Sequence, residues 1–475
     1  MAHSSLTHTA TATLAMMALC GGAVTHASPA AGSAVPLPRP ALLPADSAAA
    51  AAALHWLERR TERDPEDIMA LNMLGSRYLE RMRETGNATY VQLAASAAQR
   101  SLATLPAERN PGALNVLTKV EFATHDFSAA RDHARQLTQL APEEAYPYQI
   151  LGDTLLELGD YEQADAIFRE MQQRDNSEPL TRVGTEQRLA RVDALHGDWA
   201  AARQRLELAL NLALSRPAPP RETVAWCWWQ LGETAFAVGH YAEAERYDRA
   251  ALITFPGYFR AIASLGRVRA ARGDLPGAIR RYETAVRILP DPTFLAALGD
   301  LYTLAKRKTD AARQYQLVEA IARLSAAGGS LYNRQLALYY ADHDMKPDVA
   351  YAMAEREYSV RRDIYGADAV AWTALKAGHL TEAQAAIAEA LRLNTRDARL
   401  FYHAAMIARA APDRSTARGY LEQVMALNPQ FDPLQGATAR SIYSQEFFSP
   451  RRMVHERTTA VRDDDAAATA STARR

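Results

Sequence analysis

WCWWQLGETAFAVGHYAEAERYDRAALITFP (226–256) and RAIASLGRVRAARGDLPGAIRRYETAVRILP (260–290) have equal length and share their landmarks. Leu231-Gly232 recurs as Leu265-Gly266, Gly239 as Gly273, Ala244 as Ala278, Ala251 as Ala285 and Pro256 as Pro290, each 34 residues later. That period, with Gly at the midpoint and Pro at the end, predicts a helix–turn–helix unit. Counting from Ala225 or Phe259 as position 1, positions 7 and 8 pair a large apolar residue with a small one, so that helix B can approach helix A. Position 15 is the turn, where Gly ends helix A in a left-handed cap. Position 20 is small for close packing, positions 24 and 27 are expected to be apolar and to seal against the next unit, and Pro at 32 stops helix B. One such hairpin cannot bury its apolar faces alone, so the units must stack.

The marks recur along the chain, in units starting at Ile68, Pro111, Ala145, Val183, Ala225, Phe259, Pro292, Ser330, Ile364 and Ala398. This pattern resembles the tetratricopeptide repeat (TPR) family. The resemblance implies an all-α fold, a right-handed α-solenoid of about ten units. The repeat region is also similar to a group of exported bacterial TPR proteins of unestablished activity, through VAWCWWQLGE, AALGDLY and LNPQFDPL.

Outside the repeats, residues 1–27 read as a signal peptide. An apolar core from Leu14 to Val24 precedes Thr25-His26-Ala27, although no Lys or Arg precedes the core. The core is too short for a membrane span. Leu19 before Cys20 speaks against lipidation. Residues 28–53 are expected to be a disordered Ala/Pro linker, 54–216 an N-terminal array and 217–435 a C-terminal array. Pro217, Pro219 and Pro220 offer a hinge between the arrays, and Ala326–Ser330 a second break. The pattern ends at Gly436, and 436–475 is expected to be a disordered tail.

The chain of 475 residues has 54 basic and 55 acidic residues, a balance that points away from nucleic acid. Its basic residues are nearly all Arg, and with abundant Ala this suggests a GC-rich bacterial coding sequence. Cys227 alone remains after removal of a leader, so no internal disulfide is available. His125, His196, His240, His343 and His379 all fall at A–B turns. Neighbouring helices pack about 8–10 Å apart, too far for one turn histidine per unit to converge on a metal, so no metal and no cofactor are expected. No H-E-x-x-H, C-x-x-C, phosphate loop or G-x-S-x-G elbow occurs, and no catalytic residue is assigned.

Function is therefore expected on the concave face, which the TPR resemblance places at positions 2, 5, 9 and 12 of helix A. Those positions select Tyr146, Gln149 and Asp153; Gln187 and Arg191; Trp226, Trp229, Glu233 and Phe236; Arg260 and Arg267; Asp300; and Arg399 and Tyr402. Trp226 and Trp229, flanked by Arg260 and Arg267, form the main candidate patch, unless the loop before Arg221 packs over them. Trp228, at position 4, is read as core. Some TPR proteins hold a partner's terminal carboxylate with Lys and Asn at set groove positions. Here Asn115 and Lys119 are followed by Gln149 and Asp153 in the next unit, which departs from that pattern. The expected function is a non-catalytic adaptor holding a protein or peptide in its groove, periplasmic or secreted, with no nucleic acid and no stable membrane span. The alternatives are an accessory subunit of an envelope polysaccharide or enzyme assembly, and a catalytic groove.

Overall fold

A computed structural model describes residues 37–43, 47–174, 179–327 and 334–447. Among these there is no strand. Helix α1 (Ser47–Arg63) precedes five hairpins: α2 (Ile68–Thr85) with α3 (Thr89–Thr104), α4 (Pro111–Ala123) with α5 (Phe127–Leu140), α6 (Ala145–Leu158) with α7 (Tyr161–Gln173), α8 (Pro179–Leu195) with α9 (Trp199–Leu214), and α10 (Arg221–Ala237) with α11 (Tyr241–Thr254). Five more follow: α12 (Phe259–Ala271) with α13 (Leu275–Ile288), α14 (Pro292–Leu304) with α15 (Lys308–Ala327), α16 (Arg334–Asp342) with α17 (Pro347–Tyr358), α18 (Ile364–Ala377) with α19 (Leu380–Ala390), and α20 (Ala398–Ala410) with α21 (Arg414–Leu427). Helix α22 (Gln435–Phe447) closes the array. The hairpins stack as an α-solenoid of ten units, in the register that the sequence predicts.

In units with Gly at position 8, helix B closes into the space a side chain would fill. A Cβ on Gly152 would lie 2.2 Å from the Phe168 ring, and one on Gly266 would lie 2.8 Å from Tyr282. Both rings stand at position 24, so this position packs on its own unit's helix A, and not only on the next unit as the sequence suggests. In the unit from Ala225 it holds Asp248, which is fully buried, where an apolar residue was expected. After the turn, Asp126, Asp198, Asp274 and Asp413 each accept from the backbone amide three residues on, capping the B helices.

Two boundaries differ from expectation. Within the expected linker, Leu37 and Leu43 pack on the core formed by α8–α12, and residues 47–53 already belong to α1. The Ala-rich start of that helix has the highest intrinsic helix propensity. At the other end, residues 436–447 lie in α22, and Ala439, Ile442 and Tyr443 pack against α20 and α21. An end helix covers the last unit's apolar edge without repeating its landmarks. At 217–220 the core is continuous: Leu210 and Ala213 before the Pro cluster share it with Val224 and Trp228 after it. The signal segment 1–27 and residues 448–475 of the tail lie outside the described residues, as do residues 328–333 of the second break.

The solenoid coils tightly enough for its turns to touch. The Ile364 amide donates to the Tyr161 hydroxyl at 2.8 Å, 203 residues away, and the Arg362 amide donates to the Leu158 carbonyl at 3.2 Å. Thr395 donates to the Leu195 carbonyl, and Asn428 to the Phe236 carbonyl at 2.7 Å. Each contact joins the A–B turn of an early unit to an inter-unit loop one superhelical turn later. Gly159 serves both requirements. It adopts φ +87°, and a Cβ there would lie 2.3 Å from the Arg362 carbonyl oxygen.

Candidate functional site

The A helices face inward and line two chambers. The first, about 560 Å³, is walled by residues of α2, α4, α6, α8 and α10, among them Met82, Lys119, Phe122, Gln149, Asp153, Trp226 and Gln230. The second, about 360 Å³, lies among α10, α12, α14, α16, α18 and α20. Trp229 lines both chambers.

Most interior charges are neutralised between consecutive units. The charged partners lie 34 or 35 residues apart, one repeat along the array. Arg188 donates to Asp153 at 2.6 Å, Arg191 to Glu157 at 2.7 Å, and Arg267 to both oxygens of Glu233 at 2.6 Å. Ser264 also donates to Glu233, at 2.8 Å. His403 meets Asp368 at 2.8 Å in the same way.

One network crosses between superhelical turns. Arg361 binds Glu157 of the earlier turn and also approaches Glu357 and Asp363, each at 3.3 Å. Arg334 joins it through Glu357 at 3.1 Å and through Asp363. All these side chains are at least nine-tenths buried. Burial opposes charge on Glu157, but Arg361 and Arg191 together hold its carboxyl at about 2. Burial likewise opposes charge on Arg334, and Asp363 and Glu357 outweigh it, raising the guanidinium above its ordinary range.

The groove residues selected from the sequence fall into different settings. Trp226 is partly buried and faces the first chamber. Trp229 is 7% exposed and belongs to the core, so it is not an open groove residue. Its ring meets Trp226 edge-on at 6.3 Å and Tyr258 at 6.4 Å. Arg260 is also buried; it stacks on Phe259 at 4.5 Å, lies 6.0 Å from Trp229, and donates to the Arg83 carbonyl on the neighbouring turn. Arg267 and Glu233 are held by each other, and Arg267 also stacks on Phe236 at 4.1 Å. Asp153 and Arg191 are likewise paired. Asp300 accepts from the Tyr315 hydroxyl at 2.7 Å and meets His343 Nε2 at 2.8 Å. Tyr146 packs against the core of α4–α8, and burial raises its hydroxyl. Gln149 remains with an unpaired amide facing the first chamber.

The turn histidines do not converge. Among the described residues, no group of three or more His, Cys, Asp or Glu is placed to hold a metal. His125 takes the left-handed turn position that Gly fills elsewhere, with φ 65°, and stacks on Phe127 at 5.5 Å. Burial, with help from Arg361, pushes its imidazole down to about 4.

Residues 145–177, the α6–α7 hairpin, match the tetratricopeptide repeat family. It is a TPR-repeat protein. Similar solved structures include BtubC (BKLC) from P. vanneervenii, 22% identical over 43% of this chain and 90% of that one, with a TM-score of 0.36. Another is Pseudomonas aeruginosa PilF, 18% identical over 66% and 98%, with a TM-score of 0.32. A third is the Cut9–Hcn1 hetero-tetramer of the APC/C, 12% identical over 78% and 96%, also with a TM-score of 0.32. No curated protein matches the chain. TPR repeats suit a scaffold for protein interaction. Among the described residues, no helix of this TPR-repeat protein is long and apolar enough to cross a membrane.

Proposed function

We propose that the protein is a non-catalytic scaffold of the bacterial cell envelope that holds a protein or peptide segment inside its superhelix. The observation that carries this reading is the inward display of all the A helices. It gathers aromatic and polar side chains from five units into one chamber with Trp226 on its wall. The leader-like residues 1–27 support the envelope location. The partner segment contacts Trp226 and leaves the salt-bridged pairs between units intact, because separating a buried pair is costly.

The test is site-specific photo-crosslinking in the native cell. A benzophenone amino acid at position 226 is expected to capture one discrete protein. The same group at the exposed convex position of Arg246 is expected to capture none. A partner crosslinked from 246 and not from 226 would place the interface on the outer face and overturn this reading.

A further inference from the structure

The first chamber contains polar groups that the fold does not use. Its charged lining consists of Arg83, Lys119, Arg188 and Arg191 against Asp153, Glu157 and Glu222, four cations to three carboxylates. Arg188 is taken by Asp153, Arg191 by Glu157, and Arg83 stands 3.9 Å from Glu222. Lys119 is left over. Among the described residues, nothing accepts a hydrogen bond from its ammonium. The amide of Gln149 is also unpaired, and the Gln230 carbonyl oxygen is buried without a donor in a residue only 6% exposed. An orphaned buried acceptor of this kind calls for an explanation.

Around these groups the wall is apolar. Met82, Phe122, Ile150, Trp226 and Trp229 supply it, and the two indoles stand edge-to-face. The volume of about 560 Å³ lies within the range of small-molecule sites, which are mostly apolar with a few placed polar groups. Arg83, half exposed, marks where the chamber meets solvent.

We infer that this chamber binds a small organic acid carrying one negative charge, a flat apolar body and one N–H or O–H donor. The carboxylate meets the Lys119 ammonium and the Gln149 amide, the body lies against the indoles, and the donor satisfies Gln230. The acid and the partner segment would share the Trp226 wall and compete for it; calorimetry of the purified chain reads the acid and crosslinking from position 226 reads the partner, so each reading can fail alone.

The charge on Lys119 gives the site a pH signature. Burial, then Arg83 and Arg188, lower its ammonium to about 8, against the opposing pull of Asp153 and Glu80. These groups face it from α2, α6 and α8. Below that pH the lysine is charged and attracts the acid; above it the attraction is lost.

The probe is indole-3-propionate, compared with indole-3-propionamide, which has the same body and donor but no charge. Titration calorimetry of the full chain is expected to show one saturable site for the acid at pH 7, with the amide roughly tenfold weaker or worse, the scale of a lost charge-assisted hydrogen bond. Acid affinity is expected to fall as pH rises through about 8, while amide affinity stays level. Lys119→Met is expected to bring the acid down to the amide's affinity. Lys119→Arg, with unchanged stem contacts and a permanent charge, is expected to keep the preference and remove the fall near that pH. A melting curve for each variant separates loss of the site from loss of the fold. Absence of a saturable site, equal binding of acid and amide, or a charge preference that survives Lys119→Met would overturn the inference.

Discussion

Arg361→Met tests whether the superhelix is closed by its buried ion network. The guanidinium reaches Glu157 across 204 residues of sequence and touches Glu357 and Asp363 on its own turn. Holding the Glu157 carboxyl at about 2, where 4.5 is usual, corresponds to about 3 kcal/mol. Arg361 is the largest favourable cause and Arg191 the next. Removing one partner of a buried pair costs about 3–5 kcal/mol, because the other charge stays buried. Arg191 and Arg334 remain to share the exposed need, so the lower end, about 3 kcal/mol, is expected.

The sign with pH follows from the direction of the shift. Glu157 is depressed in the folded state, so its contribution is present above 4.5 and is lost as pH falls from there towards 2. The penalty of Arg361→Met should therefore be largest at neutral pH and shrink at about pH 3. The assay is urea unfolding followed by circular dichroism, taking the earliest transition because units of a solenoid need not melt together. X-ray scattering adds a readout specific to closure: the variant should have a larger radius of gyration at zero urea. A loss under about 1 kcal/mol at neutral pH, the scale of a surface pair, would refute the reasoning, as would unchanged dimensions.

Gly159→Ala and Gly378→Ala share the strain of a left-handed turn, about 1–2 kcal/mol, with φ of +87° and +84°. Only Gly159 abuts the next turn, so its variant should lose about 1–3 kcal/mol more in the same urea assay; equal losses would argue against inter-turn contact. Asp248→Asn should stabilise the protein increasingly as pH rises above the ordinary carboxyl value of 3.8, because burial and Glu233 raise the folded carboxyl well above it. The unfolded state releases that proton first, so wild-type stability declines with rising pH, and melting at about pH 4 and about pH 8 checks the slope. Trp229→Ala should cost about 3–5 kcal/mol as a core truncation. Trp226→Ala, on the chamber wall, should cost less than half of that, and similar melting of the two variants would make both core residues.

The unit was legible because its constraints are local. Gly266 and Tyr282 lie sixteen residues apart in the sequence, and their contact repeats wherever position 8 meets position 24. The coil of the array was not legible in the same way. A small rotation per unit accumulates until Gly159 meets Arg362, and neither residue shows more in the sequence than a turn glycine or a loop arginine. The candidate patch was legible as a face and misjudged as a surface: Trp226 and Trp229 do lie on the inward side of α10, but Tyr258 and Arg260 pack against Trp229 and leave it 7% exposed.

The period that reveals the fold also explains which interior charges are available. Residues at equal positions in consecutive units are neighbours in space, so Glu233 and Arg267, 34 residues apart, form a bond within the protein. A spacing of 34 or 35 residues between opposite charges can be read directly from the sequence, and it would have removed Glu233, Arg267, Asp153 and Arg191 from the list of partner-binding residues. The same rule singles out what is left. Lys119 has Asp153 one repeat on, but Arg188 from the following unit holds that carboxylate at 2.6 Å. A position whose neighbour is already taken keeps its charge unspent, and in this chain that position faces a chamber.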